Sequence, residues 1–213
     1  MAIAPIKPPK KRGVTKSPTP KAPKPWDRRS GLSPPSPDAE TLFLAVGRAL
    51  TAWETFEAHL ELLFERLLRV RERVILVRAY GTIVSFKTRL EMIQAAMVAH
   101  LTVRPDDQLA VSYKAFHDAA DGFSGRRNDI AHGHVVYEFA LASGYWLLPT
   151  FFATSKRKIV RVVSAKVHST IPTYMYAAGD IDYYAGQFRV LTVGVDAIAE
   201  GVQASHKRRP KRR

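Results

Sequence analysis

The chain has 213 residues, no cysteine and a formal net charge of +14 at pH 7. This length suits one domain with a substantial core, and the lack of cysteine excludes disulfide bonds and thiolate metal sites. Because disulfides mark oxidising compartments, we expect a cytoplasmic protein. We expect no membrane association, since no stretch approaches the roughly 20 apolar residues of a membrane span and residues 1–13 lack the apolar core of a signal peptide.

The positive charge belongs to the two ends of the chain. Residues 1–37 contain nine Lys and Arg against a single acid, a net charge of +8, and residues 206–213 contribute +6. The intervening residues 38–205 hold 18 basic and 18 acidic side chains and are neutral overall. We therefore attribute the basicity to two tails rather than to the body of the protein.

Residues 1–37 have the composition of a flexible arm. Ten of the 14 prolines precede Asp38, interleaved with lysine, and so few apolar side chains cannot offset the entropy lost on ordering. We predict a disordered Pro/Lys-rich arm over 1–37 and a basic tail over 206–213. Each could be a solubilising segment or a targeting signal, or could bind RNA or another polyanion by neutralising phosphates. The candidate nucleic-acid contacts in the tails are Lys10, Lys11, Arg12, Lys207, Arg208 and Arg209.

Beyond the arm, apolar residues recur at spacings of three and four, which predicts amphipathic helices. The first runs over about 38–69, and the basic stretch that follows, up to Gly81, forms either a short second helix or a bent continuation. Two further helices are predicted over about 85–101 and 105–130. In the last of these Arg127 occupies a position that the periodicity assigns to an apolar residue, and a buried guanidinium is costly unless it is paired.

After Gly133 the alternation shifts toward a period of two, with β-branched and aromatic residues separated by turn-forming ones. This pattern predicts a small antiparallel sheet or hairpin over about 134–176. A last amphipathic helix follows, capped by Asp180 and extending to about Val202. The predicted fold is therefore mainly α: a four-helix bundle-like domain over 38–205 with a small β insert between its third and fourth long helices.

One segment, residues 124–136, reads SGRRNDIAHGHVV. In it Arg127, Asn128 and His132 form an R-N-x-x-x-H pattern near the end of a predicted helix. This pattern resembles the signature of the HEPN superfamily of helical nucleotide-binding and ribonuclease domains, in which four to six residues separate an arginine from a histidine and a polar residue often follows the arginine. The long first helix and the last helix also resemble those of bacterial members, so the resemblance extends over residues 38–205.

The resemblance implies a metal-independent endoribonuclease that needs no cofactor, acts on RNA and forms a homodimer in which both motifs line one cleft. It also implies a toxin-like or defence-related role, with an antitoxin protein as a candidate partner. In this scheme Arg127 would hold the scissile phosphate, and His132 would be general acid or base on the ribose 2′-hydroxyl or the departing 5′-oxygen. Asn128 would orient one of the two. Arg126 and His134, beside the motif, are further candidate nucleic-acid contacts.

Two other interpretations of these residues stay open. Basic residues gather in the last turns of helices, where they complement the helix dipole, and Gly133 is typical of the position after a helix end. Arg127 would then pair with a carboxylate of the first helix: Glu54, Glu57 or Glu61. In the other interpretation the protein is a non-catalytic dimeric module that binds nucleic acid or a partner protein through its basic tails.

The spacing of the motif also sets a geometric condition. Arg127 and His132 do not share a face of a regular helix, since five steps of about 100° place them about 140° apart. Convergence on one phosphate would need the long arginine side chain, fraying at Gly133 or a partner subunit. No cluster of histidines and carboxylates has metal-ligand spacing, so we expect no metal site.

Overall fold

The computed structural model describes residues 22–28, 33–138, 143–149, 159–164, 167–172 and 174–207, with the backbone alone described over 159–172. The described residues form five helices and two separate two-stranded antiparallel sheets. The helices are α1 (Ala39–Leu68), α2 (Arg73–Gly81), α3 (Phe86–Val103), α4 (Asp107–Ala131) and α5 (Ala178–Lys207). The strands, β1 (Gly133–Glu138), β2 (Gly144–Pro149), β3 (Ile159–Ser164) and β4 (Val167–Pro172), lie between α4 and α5. The prediction of a mainly helical protein with a small antiparallel insert is confirmed.

The two 30-residue helices, α1 and α5, form the most extensive contact in the structure. Arg48 pairs with Asp182 at 3.0 Å and His59 with Asp196 at 2.6 Å, so residue numbers rise in the same direction along both helices and the two run parallel. Between them Trp53 meets Phe188 edge to face at 5.0 Å. The predicted apolar seams of the first and last helices are therefore the surfaces that form the core.

α3 and α4 pack against α1 and α5 and run in opposite directions. In α3 Phe86 contacts Trp53 at 4.8 Å, and the helix runs parallel to α1 so that both end on the same side. α4 runs the other way: Phe116 lies beside Phe56 at 6.1 Å, and Phe123 reaches Tyr184 near the start of α5 at 6.4 Å. The C-terminal end of α4 therefore lies near the N-terminal end of α3, and its beginning lies near the ends of α1 and α3.

The basic stretch after α1 forms the separate helix α2 rather than a continuation. Arg69 adopts the left-handed conformation with φ of 54°, and its N–H donates to the carbonyl of Glu65 at 2.9 Å. This arrangement ends a helix because it turns the chain away while still satisfying a terminal carbonyl. Arg73 at the start of α2 then pairs with Glu61 and Glu65 at 3.3 and 3.2 Å, which holds α2 against α1.

The β1–β2 hairpin is buried on both faces of β2. Gly133 pairs with Pro149 and Glu138 with Gly144 in the antiparallel register. Leu147 packs into the helical core, whereas Trp146, on the other face, is buried against Met175 and Ala177. A side chain at Gly133 would place its Cβ 2.7 Å from Leu147 Cγ. The glycine after α4 is thus needed for the close approach of β2.

Part of the predicted arm packs on the body. Residues 22–28, which we call the strap, lie along α4 and the start of α5. The indole of Trp26 meets Phe123 at 5.9 Å, and Tyr184 donates its hydroxyl to the carbonyl of Asp27 at 3.0 Å. The average composition of the arm does not reveal that it contains one large apolar side chain, Trp26, which packs on the body, or that Tyr184 of the body donates to its backbone. The tail residues Lys10, Lys11, Arg12, Arg208 and Arg209 lie outside the described residues.

Within the part of the chain that the structure describes, none of the helices combines the length and the apolar character that crossing a membrane requires.

Candidate functional site

The motif residues occupy the last turns of α4 and the start of β1. Arg127 and Asn128 lie in the helix, and His132 follows its last residue and donates its N–H to the carbonyl of Asn128 at 3.1 Å. Asn128, His132 and His134 are exposed, whereas Arg127 is half-buried. The local sequence explains the placement, because Gly133 ends the helix and opens the strand under Leu147.

A polar groove of about 450 Å³ opens beside Arg127. It lies between α1, the N-terminal end of α3 and the C-terminal half of α4, and we call it the motif groove. Its polar lining comes from all three helices: Glu54 and Glu57 from α1, Ser85, Lys87 and Arg89 from the start of α3, and Ser124, Arg127 and Asn128 from α4.

Arg127 is held loosely on the wall of this groove. Its Nη2 lies 3.5 Å from Glu54 Oε1, and its Nη1 donates to Asn128 Oδ1 at 3.3 Å. The side chain of Glu54 is 65% exposed, and an ion pair so open to solvent contributes about 0–1 kcal/mol. The Nε of Arg127 is buried and has no hydrogen-bond partner among the described residues. Each Nη of Arg127 makes only one long hydrogen bond and carries a second N–H, so the guanidinium keeps donor capacity for a ligand in the groove.

A second ion pair at the groove serves the fold. Glu57 is buried on α1, accepts from Trp53 Nε1 at 2.6 Å and pairs with Arg89 of α3. Arg89 Nε also donates to the carbonyl of Ile83 at 2.7 Å. Because both charges are matched and hydrogen-bonded, this pair fixes α3 to α1 and leaves little capacity for a ligand.

The N-terminal end of α3 adds positive potential to the groove. Ser85 caps the helix by accepting from the N–H of Thr88 at 3.5 Å, and its neighbour Lys87 lies 4.0 Å from Glu91 with its side chain 75% exposed. A helix N-terminus carries partial positive charge and unpaired N–H groups. Together with Arg127, this end of α3 makes the groove suited to an anionic oxygen.

The two histidines of the motif are not in the groove. The lining includes Arg127 and Asn128 but neither His132 nor His134, which lie beyond the end of α4. Within one chain the structure thus brings together two of the three predicted catalytic residues and leaves His132 on a neighbouring surface. This separation follows from the five-residue spacing of Arg127 and His132, which places them on different faces of the helix.

A buried polar cluster centred on Asp129 lies inside the same helix end. Asp129 is 2% exposed and accepts from the hydroxyls of Tyr176 at 2.8 Å and Tyr174 at 3.2 Å. Its carboxylate also pairs with Arg126 at 3.4 Å and with Arg28 of the strap at 3.5 Å. Burial, reinforced by the charge of Asp129, raises the pKa of Tyr176, so that its hydroxyl remains a donor. We call these five residues the Asp129 cluster.

The cluster changes the interpretation of Arg126. Its side chain is 14% exposed, and its Nη1 lies 3.3 Å from the hydroxyl of Tyr176. The guanidinium is therefore largely committed to Asp129 and Tyr176 inside the protein. Sequence reasoning missed Asp129 because its partners come from the strap and from the segment before α5, although the spacing of three from Arg126 was a usable signal.

Among the described residues there is no group of three or more histidines and acids placed to hold a metal ion. No protein-family model, curated protein or solved structure matches the chain.

Proposed function

We propose that the protein is a HEPN-like endoribonuclease that acts on RNA without a metal ion or cofactor, in a toxin-like or defence-related role with an antitoxin protein as partner. In this proposal α1, α3, α4 and α5 form the four-helix bundle of that fold. The observation that carries it is the position of Arg127 and Asn128 on a polar groove at the N-terminal end of α3.

The groove offers the chemistry that a scissile phosphate needs. The free donor of Arg127, the exposed ammonium of Lys87 and the amide of Asn128 surround one anionic subsite. A phosphoryl transition state spreads charge over its equatorial oxygens, and a fixed guanidinium stabilises that charge without reorganisation. Glu54 opposes binding, but its exposed carboxylate can swing into solvent when a phosphate takes its place.

His132 supplies the proton transfer in this proposal. As base it removes the proton from the ribose 2′-hydroxyl, whose oxygen attacks phosphorus, and an acid returns a proton to the departing 5′-oxygen. Because His132 lies outside the groove of its own chain, the complete site requires a homodimer in which His132 of one copy approaches the phosphate held by Arg127 of the other.

The test is cleavage of varied RNAs by the purified protein in excess chelator. We expect His132→Ala to lower the rate at least about 100-fold, the usual contribution of a general acid or base, and Arg127→Lys to lower it because a point charge replaces the two-donor fork. His117→Ala, elsewhere on α4, is the matched control and should keep full activity. Equal melting temperatures would show that the variants are folded.

Three results would contradict the proposal. One is the same cleavage rate for the native protein and His132→Ala, which would point to a contaminating nuclease. Another is the absence of cleavage in a native protein that binds RNA. The third is activity that disappears only on adding chelator, which would indicate a metal enzyme.

The second candidate is a non-catalytic dimeric module that binds nucleic acid through its tails. Two observations favour it: Arg127 does pair with Glu54, as the structural interpretation of the motif expects, and His132 lies outside the groove. In the full chain, replacing Lys10, Lys11, Arg12, Lys207, Arg208 and Arg209 by glutamine should then abolish RNA binding, whereas His132→Ala should not change it. Binding that survives the six substitutions would count against this candidate.

A further inference from the structure

Three parallel helices, α1, α3 and α5, end together on the side of the molecule opposite the motif. His206 of α5 donates from Nε2 to the carbonyl of Arg66 at 3.2 Å, which joins α5 to α1. The rings of His100 and His206 meet edge to face at 4.9 Å, which joins α3 to α5. His100 is held in turn by Ser205, with its Nε2 2.8 Å from Ser205 Oγ.

This end carries cations that no carboxylate balances. Arg66, Arg69, Arg104 and Lys207 form no ion pair with any residue that the structure describes, in contrast to the paired arginines elsewhere on α1 and α2. Arg66, Arg69 and Lys207 are exposed, and the Nε of Arg104 is buried without a hydrogen-bond partner among the described residues. We call these four residues the basic end.

His206 lies among these charges. Burial lowers the pKa of His206, and the charges of Arg104 and Arg69 lower it further despite the hydrogen bond to Arg66. The partial negative charge at the three helix C-termini makes such a cluster tolerable in the free protein. The backbone carbonyls at these ends are neutral acceptors, and guanidinium groups bind the charged oxygens of a carboxylate or phosphate more strongly.

Resting on the proposed action on RNA, we propose that the basic end binds the phosphate backbone of single-stranded RNA, as a surface separate from the motif groove. The two are about 18 Å apart along α1, from Glu54 to Arg66 at about 1.5 Å per residue. In the sequence, five of the six residues that follow Lys207 are Lys or Arg. Backbone neutralisation by several arginines gives affinity without base specificity.

Nucleic acid suits this surface better than a membrane does. Planar guanidinium groups from two different helices can each bind phosphate oxygens along one strand. Binding at a lipid surface normally adds a broad apolar face of one amphipathic helix to the basic residues. Here the exposed apolar residues near the arginines are spread over three helices: Leu68 of α1, Val74, Ile75 and Val77 of the nine-residue α2, and Val103 of α3.

The test measures binding rather than cleavage. Fluorescence anisotropy with a labelled 2′-O-methyl RNA, which has no free 2′-hydroxyl to react, would follow the full chain from about 50 to about 300 mM salt. We expect Arg66→Gln/Arg69→Gln to weaken binding about 10-fold at the lower salt concentration. The slope of log K against log salt should become shallower by about 1.4, from roughly 0.7 per phosphate contact on a single strand.

Two further variants make the result specific. Lys114→Gln/Arg189→Gln removes the same charge from exposed positions elsewhere and should bind within about twofold of the native chain, because long-range charge alone is screened. Arg66→Lys/Arg69→Lys keeps the charge at the basic end and should retain the native salt slope. Equal melting temperatures exclude misfolding.

Equal weakening by the two glutamine double variants would overturn the proposal, because net charge would then explain the binding. It would also be overturned if Arg66→Gln/Arg69→Gln released the protein from vesicles of phosphatidylserine and phosphatidylcholine and left RNA binding unchanged. Since the probe cannot be cleaved, a negative result here leaves the cleavage test of His132 unaffected, and the reverse also holds.

Discussion

Arg126 and Arg127 are neighbours in the sequence, yet their side chains have different roles. One helical step of about 100° turns Arg126 toward the buried carboxylate of Asp129 and leaves Arg127 on the groove, with a solvent-exposed partner. A buried, hydrogen-bonded carboxylate with two cations is costly to disrupt, whereas the pair of Arg127 with Glu54 is not. The two arginines can therefore be separated by experiment.

Asp129→Asn should lower the free energy of unfolding by about 3 kcal/mol, because it leaves Arg126 and Arg28 without the charge that balances them. Glu54→Gln, which removes the exposed partner of Arg127, should cost less than about 1 kcal/mol. Urea denaturation measures both. Similar losses for the two variants would show that the Asp129 cluster does not act as a buried ionic network.

The His100 and His206 pair predicts a pH dependence of stability. Burial lowers the pKa of both imidazoles below the ordinary value of 6.5. As pH falls through about 6.5, the unfolded chain gains protons that the folded protein resists, so stability is lost on acidification. We expect the melting temperature to fall between about pH 7.5 and about pH 5.5, and to fall less in His100→Asn/His206→Asn. Parallel curves for the two proteins would contradict this assignment.

At the scale of elements, the strap and α4 depend on one glycine. A Cβ at Gly122 would lie 2.5 Å from the indole atoms of Trp26, so the strap must shift if the position carries a side chain. Glycine inside a helix otherwise costs about 1 kcal/mol relative to alanine. Gly122 therefore lowers the local stability of α4 but leaves room for the indole of Trp26.

A double-mutant cycle compares the gain in helix propensity at position 122 with the loss of packing against Trp26. In the native chain Gly122→Ala should destabilise by about 1–3 kcal/mol through overpacking against Trp26. In a Trp26→Ala background the same substitution should instead stabilise, by up to about 1 kcal/mol, because only the helix propensity remains. Thermal or urea unfolding gives both values. If Gly122→Ala changed the free energy of unfolding in the same direction in both backgrounds, the packing of Trp26 on Gly122 would be excluded.

The helices were predictable because the residues of an amphipathic helix that face the core must be apolar. Such residues recur at spacings of three and four, which can be read from a short stretch of sequence. The strap was not predictable, because one tryptophan in a proline-rich arm is outweighed by the average composition. At the site, the pairing of Arg127 with a first-helix glutamate was predicted among three alternatives. The Asp129 cluster was not predicted, because its members are separated by as many as 148 residues along the chain, from Arg28 to Tyr176, and no periodicity connects them.

At the scale of the whole molecule, the charges of residues 38–205 sum to zero but are unevenly distributed. Residues 22–207 carry a net charge of +3 once the six basic residues before Ala22 are set aside with the five after Lys207. Four of the five acids of α1 form ion pairs, whereas Arg66 in its last turn and Arg69 directly after it form none with the residues that the structure describes. A total charge therefore says little about where a polyanion would bind.

A chain that ends at Lys207 tests this distribution. It should bind the 2′-O-methyl RNA more weakly than the full chain, because five cations are lost, but Arg66→Gln/Arg69→Gln should weaken its binding further. Heparin elution in a salt gradient provides a second measurement of the same ranking. If the two substitutions had no effect in the shorter chain, the tail alone would account for the attraction.

The last helix takes its first hydrogen-bond acceptor from far away in the chain. Ser36 is buried, and its hydroxyl accepts from the N–H of Ala178, 142 residues later, while Ser33 donates to Asp180 at 2.5 Å. The segment before α1 thus provides the N-terminal cap of α5. A fragment that begins at residue 38 would lose both this cap and the contacts of the strap, so we expect it to be less stable than the full chain by about 1 kcal/mol or more.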